Sequence, residues 1–385
     1  MTGWKKKNGK TFYKSKQMKT WYFATFVFCY ISCGSATQKR TEQDTALLNH
    51  ALRIKNDSLH RAGVDTISLI AVGDIMFGTN FPSTSTLPPN DGKDLMKYFS
   101  EELKNADLTF GNSEGVFLDA GGISKGYGAN VFSFREPRRY AQYFVDNGFD
   151  LLSVANNHVA DFGDEGMRST VATFKALPLH FAGLENYPTT IITVRNIKIG
   201  MAAFAPHKGC MQLNDYAAAI ASVKNLKQQC DIVLVSFHAG AEGRSATHVP
   251  KRTEIFMGQN RGNVYEFAHS MIDAGADIVI GHGPHVARAM EVYKNKFVAY
   301  SLGNFCTYGM FSLEGVSGIA PLLKIFVNEK GDFIRGTITS IKQEGEGGPL
   351  PDETYAAYRS IKALTASDIP NSHLKFTDTT NIEKE

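Results

Sequence analysis

Short apolar runs, each closing on glycine or a polar group, alternate along the chain with stretches of helical period. Residues 67–72 are apolar but for one serine, and they end at Gly73, the pattern of a buried strand that delivers Asp74 to a sheet edge. The pattern recurs at 106–110 before Gly111-Asn112-Ser113-Glu114 and at 149–155 before Asn156-Asn157-His158. It returns at 231–237 before His238 and at 276–280 before Gly281-His282. Between these runs, residues 94–104, 137–147, 164–177, 216–229 and 263–274 carry helical spacing and good helix formers. Residues 189–195, 197–204, 297–302, 319–327 and 332–342 predict further strands, the first two forming a hairpin around Asn196. Alternating strand and helix predicts an α/β class, whose functional groups gather at the carboxyl ends of strands.

The ends of the chain follow other rules. Residues 21–31 form an apolar run after a lysine-rich start, too short for a bilayer, which needs about 20 residues, but suited to a secretory signal. Ser32-Cys33-Gly34-Ser35 then resembles a lipobox, with Cys33 as the lipidated residue and Tyr30 and Ile31 departing from the preferred pattern. The expected organisation is a signal segment over 1–33, a polar tether over 34–65, a folded domain over 66–345 and an extension over 346–385, partly helical and then polar. The expectation is a membrane-anchored lipoprotein of the cell envelope facing out of the cytoplasm, with a secretory signal cleaved without lipid or an uncleaved signal anchor as the alternatives.

With 385 residues and 43% apolar content, the chain is neither disordered nor fibrous. Its net charge of +3 misleads, because nine of the 41 basic residues precede position 41, where no acidic residue occurs. Residues 41–385 hold 32 basic against 38 acidic side chains, about −6, which argues against nucleic acid as a partner. Cys210, Cys230 and Cys306 have no metal-finger spacing and read as buried free thiols, with a Cys210–Cys230 bridge as the alternative.

The strand ends offer carboxylates, an amide and imidazoles, the donor types that a dinuclear Zn, Mn or Fe site requires. Gly73-Asp74-Ile75-Met76-Phe77-Gly78, Asn112-Ser113-Glu114, Asn156-Asn157-His158-Val159-Ala160-Asp161, His238-Ala239-Gly240, Gly281-His282-Gly283-Pro284-His285 and Ser301-Leu302-Gly303-Asn304-Phe305 resemble, in order, the motifs of the CapA family. These are bacterial capsule-synthesis proteins associated with poly-γ-glutamate.

The resemblance implies a calcineurin-like metallophosphatase fold, an α/β/β/α sandwich, with two divalent cations between the strand ends. It makes Asp74, Glu114, Asn157, His238, His282 and His285 the metal ligands, and His158 the catalytic imidazole that protonates a leaving group. Asn112 and Asp161 would support them from behind, Asp161 either orienting His158 or capping the following helix. Met76 stands where phosphoesterases of this fold place a histidine, which weakens one metal position. Ala239 and Gly283 likewise replace residues usual in such sites. Glu242 lies near His238 or in an exposed turn. Arg135, Arg138, Arg244 and Arg288 are candidates for an anionic substrate or for solvated surface, while His180, His207, His248 and His269 read as packing or surface residues.

The substrate expected is an anionic polymer or a phosphoester, and the partners expected are capsule synthesis or export proteins. A metal-dependent hydrolase and a non-catalytic envelope component both remain open.

Overall fold

The computed structural model describes residues 66–122, 124–126 and 132–385. The signal segment, Cys33 and the tether lie outside them. No described helix is long and apolar enough to cross a membrane.

Two sheets form the centre. β1 (Thr66–Met76), β2 (Leu108–Ser113), β3 (Leu151–Ser153) and β4 (His180–Ala182) run parallel as neighbours in the first. The second follows in sequence: β5 (Thr189–Val194), β6 (Ile197–Phe204), β7 (Ile232–His238), β8 (Ile278–His282), β9 (Met290–Tyr293) and β10 (Lys296–Ala299), ordered β9-β10-β8-β7-β6-β5. The chain then returns to the first sheet. β11 (Asn304–Thr307) pairs with the end of β1, and β12 (Ile319–Asn328) runs antiparallel to its start. β13 (Phe333–Gln343), β14 (Pro349–Pro351), β15 (Leu374–Thr377) and β16 (Asn381–Lys384) complete the order β15-β16-β13-β12-β1-β2-β3-β4, with β14 against β13.

Period-2 alternation assigns the faces of the second sheet. Ile232, Leu234, Ile278 and Ile280 join the core that also holds Ile70, Leu108 and Phe110 of the first sheet. Val233, Val235, Phe237 and Val279 face outward onto the helices. Helix α1 (Gly163–Lys175) lies with the first sheet, while α2 (Tyr216–Lys227) and α3 (Val264–Ala274) cover the second. The expected α/β/β/α layering is therefore present.

Asp215 and Asn263 cap α2 and α3 by accepting the backbone N–H groups of Ala218 and Glu266, and α3 stops at Gly275 with φ 117°. The hairpin around Asn196 turns through Arg195 and Asn196, both at positive φ, the geometry that matches the twist of its strands.

The predicted helix at 94–104 is mostly turns, with only Ser100–Leu103 helical. The polar tail departs from expectation too. After α4 (Ala356–Asp368), β15 and β16 extend the first sheet, with Ile382 buried and Arg335 opposite Glu383. These strands are short and lie at and next to the sheet's edge, so the run looked unstructured. Cys210, Cys230 and Cys306 are buried free thiols, and no Cys210–Cys230 bridge forms.

Beneath the strand ends lies the fully buried Glu136, whose Oε2 accepts the Phe77 N–H at 2.7 Å. Burial pushes its carboxyl up to about 8, although the backbone N–H groups of Phe77 and Gly115 oppose this. The folded chain therefore keeps a proton that an unfolded glutamate loses near 4.5. The contribution of Glu136 to stability should be greatest below that lower value, fall as pH rises to about 8, and level off above it. Glu136→Gln should flatten this decline in urea titrations across the range, with Tm at acid pH little changed; an unaltered slope would contradict the account.

Candidate functional site

The parallel strands of both sheets end at one place. In the first sheet Asp74 sits in register with Asn112 on one side and Asn304 on the other, and the ladder is irregular at Asp74 in both pairings. In the second sheet His282 is the direct neighbour of His238. Gly73 permits the convergence: a Cβ there would lie 2.0 Å from the Gly303 carbonyl oxygen, while the Asp74 N–H donates to that oxygen at 2.8 Å. Gly283 is required as well, since its φ is 110° and a Cβ would sit 2.8 Å from backbone atoms of Ala239. The glycine between His282 and His285 lets the chain fold tightly against the end of β7.

Asp74, Asn112, Glu114, His238 and His282 are all buried, and His285 is nearly so. Asp74 lies 3.3 Å from His282 Nδ1 through Oδ1 and 3.0 Å from His285 Nδ1 through Oδ2. Glu114 is 3.6 Å from His238 Nδ1 and 3.9 Å from His285 Nε2. Asn112 Nδ2 donates to Asp74 Oδ1 at 2.8 Å and to Glu114 Oε2 at 2.5 Å, tying the two carboxylates together. One donor atom each from Asp74, Glu114 and His238 falls within 4.8 Å of the others.

Two carboxylates this close in a dry interior cannot ionise alike. Burial raises Asp74, but His282 and His285 outweigh it and hold the group well below the usual carboxylate range. Burial, then the charge of Asp74, pushes Glu114 well above that range. Burial lowers His285, yet the Asp74 carboxylate outweighs it and lifts the imidazole to about 10. His238 is driven well below the ordinary imidazole range by burial.

The hydrogen-bond inventory is incomplete in the same place. Asp74 Oδ2, Asn112 Oδ1, Glu114 Oε1, Asn157 Oδ1 and both ring nitrogens of His238 and His282 are buried and make no hydrogen bond. Leaving one such group unsatisfied costs about 1–3 kcal/mol, so this concentration is not explained by packing. Hard oxygen donors beside imidazoles are the set that a divalent cation takes, so the residues fit a metal.

Asn157, His158 and His285 line a cleft of about 610 Å³ that opens beside this cluster. His158 Nδ1 lies 2.8 Å from Asp161 Oδ2, which also accepts the Phe134 N–H at 2.7 Å, and Lys125 Nζ is 2.5 Å from Oδ1. The residue flanking α1 is Phe162, without a side-chain cap, so Asp161 orients His158 rather than capping the helix. Phe134 stacks on the His158 ring at 4.1 Å. Burial lowers His158 against the pull of Asp161, and the residue lines the cleft.

Met76 is buried, and its sulfur lies 3.1 Å from the Gly78 N–H as an acceptor, so it adds nothing to the donor set. None of the four arginines weighed from the sequence lines the cleft. Arg135 bonds Asn80 and the Gly121 carbonyl, Arg138 bonds Thr173, Arg244 pairs with Glu314, and the buried Arg288 is held by both oxygens of Glu254. Lys125, His207 and Arg261 line it instead, and Glu242 is there as the partner of Arg261. Arg261 follows the hairpin of Ile255–Phe256 and Gln259–Asn260, whose two-residue strands are too short to show periodicity, and the turn at Met257 and Gly258, both at positive φ, leaves only a glycine as its mark in the sequence.

The profile of the family described as "Bacterial capsule synthesis protein PGA_cap" matches residues 68–308, which span the second sheet, the parallel strands of the first and every residue of the cluster. The chain belongs to this family. It is 29% identical over 325 residues to the capsule biosynthesis protein CapA of Bacillus anthracis, covering 78% of this chain and 74% of that one. It is 27% identical over 259 residues to the PGA biosynthesis protein CapA of Bacillus subtilis (strain 168), covering 63% of each chain. Among solved structures, a hypothetical protein from Thermus thermophilus aligns over 72% of this chain and all of its own, with TM-score 0.45 and 14% identity.

Proposed function

We propose that this CapA-family protein is a metal-dependent hydrolase of an anionic substrate, cleaving a phosphoester or a γ-linked amide, in the making of an envelope poly-γ-glutamate. The observation that carries the reading is the group of buried, unpartnered oxygen and nitrogen atoms on Asp74, Glu114, Asn157, His238 and His282, beside a His158–Asp161 pair that faces a cleft. The family and the names of the two Bacillus relatives supply the biological setting.

Asp74, Glu114, Asn157, His238, His282 and His285 would hold two divalent cations, of Mn, Zn or Fe. When bound, these cations supply a concentrated positive charge that polarises the scissile bond. Asp74 and Glu114 provide the compensating negative charge, and Asn112 keeps the two carboxylates in place. Asp161 accepts the Nδ1 proton of His158 and so orients the ring; once the ring takes a second proton from solvent in the cleft, the carboxylate stabilises the imidazolium, whose Nε2–H would be delivered to the departing group. Phe134 covers the flat face of that imidazole and keeps water from it.

One observation favours the second reading, a non-catalytic component of the polymer machinery. The Met76 sulfur occupies a position where the resemblance calls for an imidazole, which leaves the first cation a poorer donor set.

Variants separate the two. Asp74→Ala and His282→Ala should lower metal per chain in elemental analysis, while His158→Ala should retain its metal and lose turnover by at least about 100-fold. Full turnover or full in-cell function in all three variants would exclude the hydrolase. We also propose that the protein is held at the envelope through a lipid on Cys33. Cys33→Ser should then move it from the membrane to the soluble fraction, and continued membrane association would contradict the anchor.

A further inference from the structure

The wall of the cleft contains two side chains, Arg261 and His207, each with a buried nitrogen that neither the fold nor the proposed chemistry uses. Arg261 is 4% exposed. Its Nη1 donates to Glu242 Oε1 at 2.8 Å, its guanidinium lies 5.4 Å from the Phe256 ring centre, and its Nε is buried without a hydrogen-bond partner. His207 lines the same cleft with its ring 6.3 Å from that of His238, and its Nε2 is likewise buried and unpartnered.

Arg261 cannot be explained as a tether for Glu242 alone. That contact uses one arm of the guanidinium and leaves Nε desolvated, at a cost of about 1–3 kcal/mol. The guanidinium is a fork of donors with no acceptor, and its natural complement is an oxyanion. His207 presents its buried, unpartnered Nε2 to the same cleft and can donate from it as a neutral ring. Glu242 offsets the single cation, so recognition here depends on hydrogen-bond direction more than on bulk attraction.

We propose that Arg261 and His207 form a subsite for an oxyanion, carboxylate or phosphate, carried by the substrate next to the group that reacts at the Asp74–Glu114–His238 cluster. The inference rests on the hydrolase reading and narrows it: the site takes a substrate with a second negative group, not an isolated neutral bond. Phe134 and Phe311, 5.1 Å apart, form an apolar part of the lining, suited to the methylene stem of such a substrate.

Calorimetric titration of the purified full chain tests this, with inorganic phosphate and a γ-linked glutamate trimer as separate probes, each with added Mn²⁺ and after chelation. At least one probe should bind saturably. Arg261→Gln should weaken it about tenfold or more, Arg261→Lys should recover only part of that loss, and His207→Gln should weaken it several-fold. Preference for the trimer assigns the subsite to a polymer carboxylate, and preference for phosphate assigns it to a phosphoester; either supports the proposal.

Equal affinity in wild type and all variants, or no saturable binding of either probe, overturns it. If Arg261→Gln does not fold, Arg261→Lys and His207→Gln decide the question. Metal per chain, measured on the same samples, separates the two readings. Normal metal with unchanged anion affinity removes the subsite and leaves the hydrolase, whereas no metal with variant-dependent affinity does the reverse.

Discussion

The constraint on which the rest depends is the placing of two carboxylates and three imidazoles in the dry seam where two sheets end. Asp74 and Glu114 are each within 4 Å of an imidazole nitrogen and are tied by one amide, Asn112. In an interior of low dielectric, such a group is stable only if its charges balance and its lone pairs find partners. The protein supplies part of this balance through His285 and leaves many donor and acceptor atoms open. A divalent cation would complete both requirements together.

The architecture is the means of meeting that constraint. Parallel strands bring their carboxyl ends to one edge, so residues far apart in sequence, such as Asp74 and His282, 208 positions apart, become neighbours at 3.3 Å. Two glycines make the approach possible, Gly73 against the Gly303 carbonyl and Gly283 against the turn after β7. The helices and the shared apolar core hold the sheets in register, so the geometry at the seam does not rely on the seam's own unfavourable electrostatics. His158 stands on different support: its loop is fixed by Asp161, which is bonded to Phe134 and faces Lys125.

Much of this was legible in the chain. Apolar runs ending in glycine located β1 and β8, and the residues just beyond them, Asp74 and His282, are the ones found in the seam. The motif order pointed to the sandwich and to the companions Asn112, Glu114, His238 and His285. What could not be read was longer in range or weaker in pattern. His207 is an ordinary histidine until β6 sets it beside His238, and Arg261 follows a hairpin too short to carry periodicity. Arg288 looked like an anion binder, but its charge is consumed by Glu254 inside the second layer. The terminal strands were hidden because they are short and lie at and next to the sheet's edge, and Ile382 supplies most of the burial in β16.

The account's central claim is that the seam is completed by divalent cations that bind only the folded state. The most direct measurement is scanning calorimetry of the chelator-treated protein as Mn²⁺ or Zn²⁺ is added. A site preformed by the fold predicts a Tm that climbs steadily with free metal, by several degrees at a hundredfold excess over Kd, with the rise abolished in Asp74→Ala. A Tm indifferent to either cation at every concentration would contradict the claim.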